Sequence, residues 1–231
     1  YYECEQCGYV QTESPYWLDQ AYSEAINDSD TGIMSRNSTN ARVVLGAMVL
    51  FGKLDGVVID YAGGYGILVR LLRDLGIDAF WSDSYCQNLL AKGFEYTNEN
   101  ATLVTSFEAF EHFVHPAEEL DRLLLIAPNV LLSTELIADA TPSHDAWWYY
   151  RNEHGQHIGF FRCKTIEKLA KDRGKLLLHY GGSYFLIVDK PISRMLLKLT
   201  FRGRRLLPFI LRRQLTSKTW ADHLDMAKDN L

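Results

Sequence analysis

The sequence lacks any apolar run approaching the roughly 18 to 20 residues that a membrane-spanning helix needs, and no secretory signal peptide is recognisable. Cysteine is scarce. The four residues, Cys4, Cys7, Cys86 and Cys163, are too few and too scattered for a disulfide framework. A reducing, cytoplasmic setting is therefore expected. Positive charge is short as well: the 231 residues carry a formal net charge of −5, which excludes a general nucleic-acid binder. Internal repeats and low-complexity segments are missing. So is a second CxxC. Cys4 and Cys7, in "YYECEQCGY", have the spacing of half a zinc knuckle, and a closed site needs four ligands. They are either half of a zinc ribbon whose partner lies upstream or two free thiols at a frayed terminus. No bound zinc is expected in the chain as given. Its first residue is Tyr1 rather than Met, so it is read as a piece of a longer polypeptide with domains upstream.

Apolar residues are abundant. At 47% hydrophobic and 13% aromatic, the chain suits one globular domain with a sizeable core plus an appendage. Short helical stretches around 16–26 precede a turn at "NDSDTG". A helix is predicted from Ser38 to Lys53, then a buried strand at "GVVID". "YGILVRLLRDLG" reads as a helix stopped by Gly76, "DAFWSD" as a second strand, and "LVTSFEAFEHF" as the start of another. A helix opening near Pro116, a strand at "NVLLSTEL", a helix at "CKTIEKLAKDRG" and a strand pair around Gly181-Gly182 complete the series. This alternation from 57 to 189 predicts an α/β fold, with an open, mostly parallel sheet flanked by helices.

Ligands of such sheets sit beyond the carboxyl ends of strands. The first strand ends in "DYAGGYG", where glycines permit a tight turn and close approach of a ligand to the backbone. An acid at the end of the next strand, about 20 residues on, would grip a ribose, and Asp83 in "FWSDSY" occupies that place. Dinucleotide sites use G-x-G-x-x-G, but the spacing here is acid-x-Ala62-x-Gly64-x-Gly66. It resembles the D/E-x-G-x-G-x-G motif of class I S-adenosylmethionine-dependent methyltransferases, with Ala62 in place of the first glycine. "TSFEAFEHFVHPAEEL" looks like the fourth-strand segment of their ubiquinone-biosynthesis-type branch. "PYWLDQAYSEAINDSDTG", "EHGQHIGFF" and "SKTWADHLDM" are similar to segments of a methyltransferase group associated with glycan assembly.

That resemblance implies a Rossmann-like sheet of seven strands, six parallel and the last antiparallel, the last coming from "SYFLIVD". It implies S-adenosylmethionine as cofactor, held by Asp60, Ala62, Gly63, Gly64 and Gly66, with Asp83 on the ribose and Phe107 and Glu108 beside the sulfonium. Phe107 follows Asp83 by only 24 positions, so the third strand must be short and is placed near Phe94–Tyr96. The adenine contacts are left unassigned.

Methyl transfer is an in-line displacement, for which the protein supplies position, desolvation and sometimes a base. A sugar or phenol hydroxyl is a weak nucleophile, and histidine is the best-suited base. Five of the seven histidines cluster: His112 and His115, then His144, His154 and His157. His157 is the expected base and His154 the second choice, with Glu111 assisting the acceptor or favouring a helix N-terminus. The competing role for these histidines is to shape their loop by bonding its backbone. For His112, capping or orienting the following helix is the stronger expectation. Trp147, Trp148, Tyr149 and Tyr150, with Tyr22, would form an acceptor pocket; the quartet's alternative is core. Only Glu108 and Glu111 cluster as acids after the fourth strand and H-x-x-H in "HGQH" is a weak signal, so no catalytic metal is expected. Segment 14–36 would act as a lid over the cofactor or merely pack on the sheet.

Between Arg194 and Arg213 the chain carries seven basic residues and no acid, interleaved with leucines and Ile210. Such a segment suits an anionic membrane face. The commoner outcome packs the leucines on the domain and exposes the arginines, and a third use is docking a neighbouring domain or a phosphorylated sugar donor. The expected organisation is an N-terminal segment 1–40, a cofactor-binding domain 41–190 and a basic helical extension 191–231. The expected activity is O-methylation of a sugar hydroxyl in glycan assembly. Methylation of a small phenol or quinone precursor and a non-catalytic cofactor-binding module are the alternatives.

Overall fold

The computed structural model describes residues 1–21, 30–143, 145–150 and 156–228. In chain order its elements are β1 (Tyr2–Glu3), β2 (Val10–Gln11), α1 (Leu18–Ala21), α2 (Ile33–Phe51), β3 (Val57–Tyr61), α3 (Ile67–Asp74), β4 (Asp78–Ser82), β5 (Ala101–Phe107), α4 (Pro116–Ile126) and β6 (Val130–Ser133). There follow β7 (Gly159–Phe160), α5 (Cys163–Lys171), β8 (Leu176–Tyr180), β9 (Tyr184–Val188), α6 (Arg194–Gly203), α7 (Leu207–Ile210) and α8 (Thr219–Lys228). Among the described residues no helix is long and apolar enough to cross a membrane.

The main sheet has the order β4-β3-β5-β6-β9-β8. β3 runs parallel to β4 and β5, whereas β9 is antiparallel to both β6 and β8. The antiparallel strand is therefore "SYFLIVD", as expected. The seventh strand is reduced to a single parallel bridge, Trp81 with Glu95, framed by Trp81 N–H donating to Phe94 O (2.7 Å) and Tyr96 N–H donating to Trp81 O (2.7 Å). The physical reason is chain length: a helix and a full strand do not fit into the short connection between Asp83 and β5.

The chain forms two compact units, 1–25 with 106–191 and 26–105 with 192–231. In the second unit α2 begins at Ile33 rather than the predicted Ser38 and ends at Gly52, whose φ of 62° closes the helix in the left-handed region. Val58 and Ile59 of β3 are buried, as are Leu68, Val69 and Leu72 of α3. Asp222 of α8 is tied to α3 by a buried bidentate pair: Arg73 Nε donates to Oδ2 and Nη2 to Oδ1, both at 2.7 Å. The Arg73 guanidinium also lies 3.7 Å from the centroid of the Phe94 ring.

In the first unit a small antiparallel sheet, β1-β2-β7, pairs Val10 with Phe160. This corrects the frayed-terminus expectation for Cys4 and Cys7. The hairpin between them is closed by Cys4 N–H donating to Tyr9 O (2.8 Å) and Gly8 N–H donating to Cys4 O (2.7 Å). Buried Arg162 braces it, donating to Gly8 O and to Thr141 Oγ1 (2.8 Å) and pairing with Glu3 at 3.0 Å.

Candidate active site

In the second unit β3 delivers Asp60 to the start of the glycine corner. The side chain is buried, and Thr105 Oγ1 on β5 donates to its Oδ1 at 2.8 Å. Burial raises the Asp60 carboxyl to about 7; the Thr105 bond opposes the shift and the charge of Asp83 adds to it. The corner itself is left-handed at Ala62 (φ 57°), Gly64 (φ 55°) and Gly66 (φ 84°). Ala62 thus adopts the conformation of the glycine it replaces, at a cost of roughly 1–2 kcal/mol. A Cβ on Gly63 would lie 2.8 Å from Asp60 Oδ2, and one on Gly66 2.9 Å from Ala91 Cβ. Both glycines are therefore required by the packing of the corner itself.

Asp83 fastens this corner to the end of β4. Gly64 N–H donates to its Oδ2 (2.9 Å), and Tyr85 and Cys86 N–H donate to its Oδ1 (2.7 and 2.8 Å). Trp81 Nε1–H adds a bond to Gly64 O at 2.8 Å. The donor set fits a cationic amino-acid cofactor. A deeply buried carboxyl held near neutral pKa is one that an adjacent ammonium would return to its ionised form. Asp60, the glycines and Asp83, all named from sequence, thus form one corner. Thr105 and Trp81 were missed, because a strand threonine and a strand tryptophan carry no motif.

The first unit holds a separate group of titratable side chains. After β5 the chain turns at Glu108 (φ 51°), whose N–H donates to Ser133 O and Oγ (both 3.1 Å), while Ser133 Oγ–H donates to Glu108 Oε1 (2.6 Å). Phe107 sets its ring edge-on to Tyr184, with centroids 6.0 Å apart. Glu111 is fully buried; its Oε1 accepts from Tyr149 Oη at 2.5 Å, and its Oε2 is buried with no hydrogen-bond partner among the described residues. Burial pushes the carboxyl of Glu111 up and, reinforced by the charges of Glu111 and Glu108, pushes the phenol of Tyr149 up.

His157 Nδ1 faces Tyr149 O at 2.6 Å and His112 Nδ1 faces Gln156 O at 3.1 Å. A carbonyl accepts only from N–H, so these contacts place the Nδ1 proton on each neutral ring. The two rings meet edge to face with centroids 4.9 Å apart. Burial, with the neighbouring His157, lowers His112 to about 3 and keeps it neutral. Through that contact His112 is tied to the loop at Gln156, while the N-cap of α4 is His115, without a side-chain cap bond among the described residues. Possible ligand atoms of Glu111, His112 and His157 all lie within 4.8 Å of one another, a donor set that could hold a divalent metal.

The aromatic quartet divides. Tyr149 and Tyr150 belong to a buried cluster with Val10, Ile137 and Phe160, Trp147 packs against it, and Trp148 is exposed. Tyr150 packs on Tyr1, Trp147 and Phe160 and donates its hydroxyl to Pro142 O (3.1 Å), so it is core and not a pocket wall. Its neighbour Tyr149 reaches Glu111 instead. His154, His144 and Tyr22 lie outside the described residues, as does the middle of the expected lid.

The methyltransferase domain family matches residues 38–179, more than half of the chain. No curated protein sequence matches it. Among solved structures, the 1,6-didemethyltoxoflavin-N1-methyltransferase of Burkholderia thailandensis superposes with a TM-score of 0.51 at 12% identity, covering 81% of this chain and 96% of that one. The magnesium protoporphyrin IX methyltransferase of Synechocystis, with bound S-adenosylhomocysteine, gives 0.46 at 15% identity over 75% of this chain and 94% of that one. TnmH gives 0.46 at 15% identity over 75% of this chain, which spans only 61% of its length. At these identities the first likeness speaks to the fold alone. On the family match over more than half of its length, the chain belongs to the methyltransferase domain family, the S-adenosylmethionine-dependent class I methyltransferases.

Proposed function

We propose that the protein methylates a hydroxyl oxygen, and that the acceptor is a sugar hydroxyl of a glycan or glycan precursor. The observation that carries the hydroxyl reading is one group of side chains, Glu111 and Tyr149 buried and His157 half-buried beside them. S-adenosylmethionine supplies an electrophilic methyl group and a neutral leaving group. A hydroxyl must then lose its proton as the new C–O bond forms. His157, with Nδ1–H held by Tyr149 O, presents Nε2 as the basic nitrogen. Glu111 offers a carboxyl oxygen within 4.8 Å of a ring nitrogen of His157. Asp60 and the glycine corner hold the methionine part, and Asp83 takes the ribose.

The sugar assignment rests on the resemblance to glycan-associated methyltransferases and on the exposed Trp148 face, which suits the CH face of a sugar. The same reading assigns cofactor binding to 41–190 and puts the reaction in the cytoplasm. A radiolabelled methyl-transfer screen over sugars and phenols tests it. Label in a sugar ether supports the reading. Label only in phenols or quinone precursors replaces it with small-molecule methylation, and cofactor binding without any transfer makes the chain a binding module.

A further inference from the structure

We propose that α6, α7 and the residues that follow them form a docking surface for an anionic lipid layer. α6 lies against α2; Leu197, Thr200 and Phe201 are buried, and Gly46 of α2 faces Thr200 and Leu207. That inward stripe leaves the other apolar residues in water. Met195, Leu196, Leu199, Leu206, Phe209 and Ile210 are all exposed, five of them above 60%. Around them stand Arg194, Lys198, Arg202, Arg204, Arg205, Arg212 and Arg213. Among the described residues none of these seven pairs with a carboxylate; Arg212 instead lies over the Phe209 ring at 4.7 Å. From Lys190 to Ala221 there is no acid at all, in a chain whose net charge is −5.

Large apolar side chains exposed together mark an interaction surface. A nucleic acid would reward the cations and leave six apolar side chains in water. The headgroup region of an anionic bilayer rewards both: phosphates take the guanidinium groups and the acyl boundary takes leucine, isoleucine and phenylalanine. The commoner arrangement, with leucines on the domain and arginines outward, holds for Leu197 alone of the three leucines in α6.

The test is vesicle co-sedimentation of the whole chain, using phosphatidylcholine with or without 30% phosphatidylserine (a probe composition on the order of natural anionic surfaces). The bound fraction should rise at least tenfold with the anionic lipid and fall as salt is added. A variant carrying Leu199→Glu and Ile210→Glu should lose that gain while keeping its circular dichroism and thermal midpoint. Equal binding to both vesicles, or none, overturns the proposal. So does equally strong capture of a single-stranded oligonucleotide that survives the double substitution, or a dimer in light scattering that the same substitutions dissolve.

Discussion

The glycine corner and the Glu111–His157 group are built in opposite ways. The corner is almost contiguous: Asp60 to Gly66 supply the turn, and Asp83 closes it at 2.9 Å through Gly64. Its chemistry follows from backbone geometry that few residue types tolerate. The second group is gathered from Glu111, His112, Tyr149 and His157, with Glu111 and its partner Tyr149 38 positions apart, joined by bonds from side chain to side chain and from ring to carbonyl. Binding chemistry written into one turn leaves a motif; proton-handling chemistry assembled by packing leaves only residue types.

Substitutions can separate the two regions. The largest effect is expected at His157→Gln, which should lower turnover about 10²- to 10⁴-fold with the affinity for S-adenosylhomocysteine unchanged by calorimetry. Lost binding would tie the two regions together. Asp60→Asn should do the reverse and weaken cofactor binding by about 2–5 kcal/mol, roughly 30-fold or more. It should also change the pH dependence of the free protein. Folded Asp60 keeps its proton to about 7, against an ordinary value of 3.8. The folded state binds the extra proton between those values, so stability falls as pH rises through that window. Asp60→Asn should flatten this decline, and thermal melts from pH 4 to 8 will show whether it does.

Asp222→Asn breaks the buried pair with Arg73 and leaves that guanidinium with Asp78 as its one remaining carboxylate among the described residues, at about 3 kcal/mol in chemical denaturation, the low end for a broken buried pair. It probes the scaffold of the corner and leaves the acid–base group intact. The smallest effect is expected at Tyr149→Phe, which strips Glu111 of its hydroxyl donor and costs about 1–3 kcal/mol in the same assay. The pH of maximal turnover should move upward more than turnover falls, since losing the Tyr149 donor lets burial push the Glu111 carboxyl further up.

The same contrast governs what could be read from the sequence. β3, α3 and β4 follow from a β-branched run, an apolar helical face and Gly76, whose φ is 90°. The reduced third strand was visible as a residue count between Asp83 and Phe107. β1, β2 and β7 were not visible, because two-residue strands carry no period. Consecutive aromatics point in different directions whatever their order, so no pattern could tell buried Tyr150 from exposed Trp148. Nothing in the sequence singles out Arg162 or Arg73. Their burial is decided by backbone carbonyls and by Asp222, which arrive from distant parts of the chain.

The central claim is that Asp60 and the glycine corner hold the cofactor. Titration of S-adenosylhomocysteine into the folded protein in a calorimeter tests it most directly. One site per chain is expected for the wild type and for His157→Gln, with no measurable heat for Asp60→Asn at the same concentrations. Silence from the folded wild type, or an unchanged isotherm in Asp60→Asn, would contradict it.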